Sequence, residues 1–434
     1  MTIDELKKKT VGFISLGCDK NRVDLEKIIF NLKNFGLTIV SDPEKANIII
    51  VNTCSFLESA RIESVDAILE MIEFKGSNLE KLIVTGCINE LNYSDLNTSL
   101  PEVDAFVNIK DNEKIVEIVA SLYNININCQ YVSDRVLTTP NHYAYLKIAE
   151  GCNNFCTYCL IPYIRGRYRS ETIENLIAEA NALADKGVTE LILVAQDVTK
   201  YGIDLYKSKK LVTLIRELSK IDKIKWIRLL YCYPEEIDDE LISEIRDNNK
   251  VVKYLDIPLQ HVSTPVLKAM NRRSNYESIE SLFTKLKCTI PNIVLRTTFI
   301  LGFPGETEED IELIEKFLGK FKLNNVGFFT YSREEGTKSY NFDNQIDEDT
   351  KHVRLDRLSQ IQYEIVQNIN LHLLGQEFDV IVDEVYNDYS VARFYGQSPQ
   401  IDTVIYIKEK LNVGQFYKVK ITNLLEYDLE GEIL

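Results

Sequence analysis

The sequence predicts an α/β chain in three parts: a doubly wound parallel α/β domain, a partial (β/α)6 barrel and a small antiparallel β-barrel. Three observations carry this reading. Short apolar runs alternate with helix-spaced segments from residue 11 to about 345, the pattern of parallel strands joined by crossover helices. Six such units fall within residues 142–345, too few for a closed eight-strand barrel. Beyond Gly375 the pattern changes to short strands without helices, which suits a small barrel.

In the first domain, residues 1–125, strands are expected at Val11–Gly17, Asn47–Cys54 and Lys81–Cys87. Helices should run to about Gly36 and from about Glu58 to Gly76, each glycine closing its helix. The polar stretch Asn124–Asn141 reads as a linker. In the second domain, residues 142–345, the strands are Ala144–Glu150, Glu190–Asp197, Trp226–Cys232, Tyr254–Gln260, Ile293–Gly302 and Asn325–Ser332. Helical spacing separates them, as in Ile173–Lys186 and Glu306–Lys322. A connecting helix within residues 346–374 places Leu358, Ile361, Ile365 and Ile369 on one face. Residues 375–434 then supply strands at Glu377–Tyr386, Tyr389–Tyr395, Thr403–Lys408 and Phe416–Leu425, with a short final segment.

Composition bounds the function. The 434 residues are 45% apolar and carry a formal charge of −16. No apolar run approaches the ~18 residues of a membrane span. The segment Met1–Thr10 has no apolar signal core, so a cytoplasmic protein is expected. Residues 367–434 hold 11 acidic and 5 basic side chains, a net −6. Such charge attracts a basic partner more readily than a polyanion, so nucleic-acid binding is not expected to dominate.

The nine cysteines of a cytoplasmic chain favour metal or redox chemistry over disulfides. Cys152, Cys156 and Cys159 stand at CxxxCxxC spacing directly after a barrel strand. Three thiolates can hold a four-iron cluster and leave one iron open to a small chelating molecule. The amino and carboxylate groups of S-adenosylmethionine (SAM) fit that role. Cys18, Cys54 and Cys87 each end a strand of the first domain, and ligands of open parallel sheets gather at those carboxyl ends. A second cluster with an open iron follows. Cys129, Cys232 and Cys288 lack such spacing and read as structural, as do His142, His352 and His372 on the surface or in helices.

The loop Glu150–Cys159, with Tyr158 before its last cysteine, resembles the radical-SAM signature. Gly302-Phe-Pro-Gly-Glu-Thr307 resembles a second motif of that superfamily, though it also reads as a turn with Thr307 as helix N-cap. With two cysteine trios and a C-terminal barrel, nearly the whole chain resembles the radical-SAM methylthiotransferases, whose last module is the OB-like TRAM domain. Ser15–Glu26, Asn52–Ala60, Tyr145–Cys152, Ile161–Ser170, Gln196–Gly202 and Gln397–Asp402 resemble the branch acting on ribosomal protein uS12. Asp19, Glu171 and Gln400 depart from its pattern, the last with a possible effect on substrate docking.

The resemblance implies two [4Fe–4S] clusters, one SAM as methyl donor and another as radical source. It implies replacement of C–H by C–S–CH3 at an aspartate β-carbon of uS12, free or in the small subunit. It implies a monomer fed by a reductant such as flavodoxin or ferredoxin. Metal ligands are then Cys18, Cys54, Cys87, Cys152, Cys156 and Cys159, and cofactor contacts are expected of Tyr158, Gln196, Gln260, Arg296 and Gly302. No side chain is assigned as catalytic, because the cofactors carry the chemistry. Two rivals are the same reaction on adenosine-37 of transfer RNA and a non-catalytic iron–sulfur electron carrier. A colourless zinc protein is a third.

Overall fold

The computed structural model describes residues 1–91 and 96–434, in two compact units. The first comprises Met1–Thr138, Glu150–Asn153 and Cys159–Tyr168, and the second Thr139–Ala149, Asn154–Tyr158 and Arg169–Leu434.

The first unit is built on β1 (Thr10–Ser15), β2 (Thr38–Ile39), β3 (Ile48–Thr53), β4 (Lys81–Gly86) and β5 (Ala105–Val107). All pair in parallel, in the order β2-β1-β3-β4-β5. Every residue of β3 is buried. Its Ile48 and Ile50 join one core layer with Ile28, Leu32 and Val119, and its Ile49 and Val51 join the other with Ile68 and Met71. One strand feeding two layers is what helices on both faces of a sheet require.

Gly36 closes the helix Asp19–Phe35 in the left-handed conformation. The next helix, Glu58–Ile72, stops at Glu73, and Gly76 lies in the turn beyond it. The expected linker is a strap for most of its length. Asn31 and Val132 exchange two hydrogen bonds of 3.0 Å, and buried Arg135 pairs with Glu26 at 2.9 Å. Glu26 also accepts from the Thr138 backbone at 2.7 Å.

The second unit contains β6 (Tyr143–Lys147), and the two-residue strands β7 (Ala149–Glu150) and β8 (Arg169–Ser170) flank the cysteine loop. It continues with β9 (Glu190–Val194), β10 (Trp226–Leu229), β11 (Val251–Asp256), β12 (Val294–Leu301) and β13 (Asn325–Thr330). The sheet β13-β12-β11-β10-β9-β6 is parallel and open at both ends, the partial barrel the six units imply.

The helix Glu348–Leu371 lies against β13. Its buried stripe is Lys351, Arg354, Leu358, Gln362, Val366 and Asn370. The stripe is rotated from the apolar face read from sequence, because much of what it covers is polar: Gln362 donates to the Leu323 carbonyl and Arg354 to Glu306.

The strands β14 (Glu377–Val385), β15 (Ser390–Phe394), β16 (Ile405–Ile407), β17 (Phe416–Leu425) and β18 (Asp428–Ile433) close a barrel. It is antiparallel except for the parallel β16–β18 pair. A buried ionic latch joins it to the amino-terminal half of the parallel strands. Arg228 and Arg393 each donate to Glu190 at 2.8 Å, and Arg393 and His142 both donate to Asp383. His142 is thus buried in this seam, contrary to the surface position expected of it.

Candidate functional site

In the first unit, Cys18, Cys54 and Cys87 directly follow or closely succeed three neighbouring strands, β1, β3 and β4. Cys18 is the exposed N-cap of the helix Asp19–Phe35, Cys54 is half-buried and Cys87 is buried. Asp19 is the first helical residue, a position that suits an acidic side chain. Two glycines let the cysteine backbones approach. A Cβ on Gly17 would sit 3.1 Å from Cys54 Cβ, and one on Gly86 would sit 2.4 Å from the Thr53 carbonyl oxygen. Asn21 Nδ2 donates to the Thr53 carbonyl at 2.9 Å, and Asn52 Nδ2 donates to the Asn21 carbonyl at 2.9 Å. Together they tie the end of β3 to the helix that Cys18 caps.

Burial raises the Cys54 thiol, and raises that of Cys87 to about 11. Both thiols also interact electrostatically with Cys18 and with Arg165. Among the described residues, no three acidic, cysteine or histidine side chains already enclose a single metal ion. A four-iron cluster takes each thiolate on a different iron and needs a wider spread.

Cys152 and Cys159 belong to this same unit. The Cys152 backbone donates to the Gly166 carbonyl at 3.1 Å, and the Ile161 backbone N–H reaches Cys159 Sγ at 3.4 Å. Arg165, which sequence reasoning did not single out, reaches Asp24, Glu150, Asn21 and Cys87. Its signal was the quoted segment Ile161–Ser170, whose basic residues had no stated role.

Cys156 and Tyr158 belong to the second unit. Their loop is held by Thr157, whose backbone donates to the Met270 carbonyl at 3.0 Å and whose hydroxyl donates to that of Ala269 at 2.8 Å. Buried Asp197, next to Gln196, accepts from Asn154 Nδ2 at 3.1 Å. Burial raises the Asp197 carboxyl. Cys156 Sγ is 3.8 Å from the Tyr233 hydroxyl, and the buried Arg272 guanidinium stacks 4.1 Å from the Tyr233 ring. Arg272 Nε and Nη1 have no hydrogen-bond partner among the described residues. Neither Tyr233 nor Arg272 was legible in advance, since no spacing relates them to the loop.

Tyr158 packs edge-on against Phe303, next to Gly302, with centroids 6.5 Å apart. The Gly302 turn is pinned by Glu306, which accepts from the Gly302 backbone at 2.8 Å and from Arg354 at 2.7 Å. Thr307 and Asp310 form a capping box for the helix Glu308–Phe321, so the motif is also the turn it resembled. Gln260 has a left-handed backbone (φ +69) and bonds to Thr298 and Ile300 through its main chain. His261 is fully buried, and its Nδ1 accepts from two backbone N–H groups at 3.0 and 2.9 Å. The remaining ring nitrogen lies 3.3 Å from Glu306 Oε2.

Arg296, the third residue of β12, donates to Asp256 at 2.9 Å and lies 3.5 Å from Asp402, between the strands β15 and β16 of the C-terminal barrel. Gln397 and Asp402 are likewise buried or paired there: Asp402 accepts from the Tyr254 hydroxyl at 2.7 Å. Cys232 is buried, whereas Cys288 is exposed.

Residues 146–318 match the Radical SAM superfamily, residues 10–108 the uncharacterized protein family UPF0004, and residues 374–434 the TRAM domain. The chain is 48% identical to ribosomal protein uS12 methylthiotransferase RimO of Thermoanaerobacter sp. (strain X514), over 98% of this chain and 100% of that one. It is also 48% identical to RimO of Acetivibrio thermocellus, over 98% and 99%. Among solved structures, the radical SAM methyltransferase TsrM of Kitasatospora setae superposes with a TM-score of 0.54 at 12% identity, covering 74% of this chain and 73% of that one. The cobalamin-dependent radical enzyme OxsB gives 0.54 at 12%, covering 83% and 58%, a likeness of fold. Identity near one residue in two, sustained from end to end, leaves one assignment: the chain belongs to the RimO family of radical-SAM methylthiotransferases.

Proposed function

We propose that this chain replaces C–H by C–S–CH3 at the β-carbon of an aspartate in ribosomal protein uS12. Two [4Fe–4S] clusters take part, one on Cys152, Cys156 and Cys159 and one on Cys18, Cys54 and Cys87. The observation that carries the second cluster is the gathering of three cysteines at adjacent strand ends, with Gly17 and Gly86 admitting the close backbone approach. The donor set fits. Thiols raised by burial are protonated at neutral pH without a metal, so loading displaces their protons.

When bound, the clusters and SAM supply the electron, the methyl group and the radical that no side chain can provide. The protein's own residues hold and orient. Tyr158, Gln196, Gln260 and Gly302 are the proposed SAM contacts, and the two unpartnered donors of Arg272 suit a carboxylate such as that of SAM. The C-terminal barrel keeps Asp383 and Asp402 for its latch and exposes Glu377, Asp379, Glu384, Asp388, Glu409, Glu426 and Glu432. That acidic surface favours a basic protein substrate over RNA. A flavodoxin- or ferredoxin-class protein supplies the electron, and the chain acts as a cytoplasmic monomer.

The test is anaerobic reconstitution with iron and sulfide, then SAM, reductant and a uS12 peptide. Mass spectrometry should show a gain of about 46 Da, the replacement of H by SCH3. Cys152→Ala should abolish deoxyadenosine formation. Cys54→Ala should spare SAM cleavage and stop sulfur insertion. Modification of transfer RNA instead of the peptide would reverse the substrate assignment.

A further inference from the structure

Arg165 lies six residues beyond Cys159 and is 5% exposed. Its Nη1 donates to Asp24 Oδ2 at 2.8 Å and to Glu150 Oε2 at 3.2 Å. Its Nη2 donates to Asn21 Oδ1 and reaches Cys87 Sγ at 3.5 Å. The four partners come from three separate stretches of chain. Asn21 and Asp24 lie on the helix that Cys18 caps, Glu150 stands two residues before Cys152, and Cys87 follows β4.

Charge balance explains the division of labour. Asp24 and Glu150 already supply two negative charges to one guanidinium. Neutralising Arg165 therefore does not require the thiol. The carboxylates fix one edge of a planar fork, and the geometry leaves an N–H of the other edge directed at sulfur. Hydrogen bonds to cluster sulfurs are among the main determinants of cluster reduction potential.

We propose that Arg165 is a positioning residue that sets the reduction potential of the cluster held by Cys18, Cys54 and Cys87. It donates an N–H to the Cys87 sulfur from the segment that closes the SAM-cluster loop. The same guanidinium, through Glu150, clamps the base of that loop. One side chain thus tunes one cluster's ligand while fixing the loop of the other. This rests on the two-cluster reading above.

The experiment uses the full chain carrying Cys152→Ala, Cys156→Ala and Cys159→Ala, reconstituted anaerobically with iron and sulfide, so that the remaining trio alone can load. A redox titration followed by electron paramagnetic resonance compares Arg165 with Arg165→Gln and Arg165→Lys. In the Gln variant, the reduction equilibrium should fall by about tenfold, equivalent to ~59 mV for a one-electron couple. The Lys variant keeps the charge but loses the fork, and its midpoint should fall between the other two. Unchanged midpoint and resonance in both variants would overturn the proposal. If the Gln variant holds no iron, the Lys variant decides: a lowered midpoint supports the proposal and an unchanged one refutes it. If the parent with Arg165 intact holds no iron, the second cluster itself is refuted, a separate outcome.

Discussion

Glu190 opens β9 fully buried, shared between two buried arginines. Arg228 Nε donates to one of its carboxylate oxygens and Arg393 Nη2 to the other, both at 2.8 Å. Glu190→Gln keeps the shape and removes the charge. Neither guanidinium is left bare: Arg228 keeps the Tyr395 carbonyl at 2.9 Å and the Tyr254 ring at 4.7 Å, and Arg393 keeps Asp383. Breaking a buried pair by removing one partner costs about 3–5 kcal/mol, and the retained partners place this change at the lower end, about 3 kcal/mol. Trp226, the single tryptophan, lies edge-on to Phe416 of the C-terminal barrel at 5.0 Å. Its emission during urea unfolding therefore reports the seam, and the midpoint should fall with little change in slope.

The latch also carries a pH signature. Burial alone would raise the Glu190 carboxyl, but Arg393 and Arg228 hold it below its ordinary value. Asp383 is lowered in the same way by Arg393 and His142. A depressed carboxyl contributes stability that is present above its unfolded pKa, about 4.3 for Glu. That stability is lost as pH falls through the folded value. The Gln variant should therefore lose less stability on acidification than the parent. A loss under about 1 kcal/mol at neutral pH, or identical acid limbs in the two proteins, would refute the latch.

Gly86→Ala forces a Cβ to 2.4 Å from the Thr53 carbonyl oxygen at φ +97; it should cost on the order of 3 kcal/mol in thermal unfolding and reduce iron retention. Wild-type melting with full iron would contradict that. Glu306→Ala releases the Gly302 backbone and Arg354 together, and should cost about 3–5 kcal/mol with faster amide exchange over residues 302–307. Gln400 is exposed at φ +67. Gln400→Gly should therefore stabilise by about 0.5–1 kcal/mol, and Gln400→Glu should stay within about 0.5 kcal/mol of the parent. Any change in uS12 modification by the Glu variant would then report docking rather than folding.

Much was legible from sequence because it is local. Strand and helix periods show through alternation of apolar residues, and a parallel sheet places its functional side chains at strand ends. Cys18, Cys54 and Cys87 could therefore be grouped before any strand order was known. Sequence alone also showed the CxxxCxxC loop and the acidity of the final module. Tertiary structure alone decided which charged side chains meet. Arg165 reaches Cys87 across 78 residues, and no period or spacing relates such positions. Arg296 was expected at the cofactor and is held by Asp256 and Asp402. The polar stretch after Asn124 read as a linker because its anchors, Asn31 and Glu26, lie on a helix about a hundred residues earlier. Apolar faces obey periodicity because every element must bury one. A buried ion pair obeys only the packing of the elements that bring its two halves together.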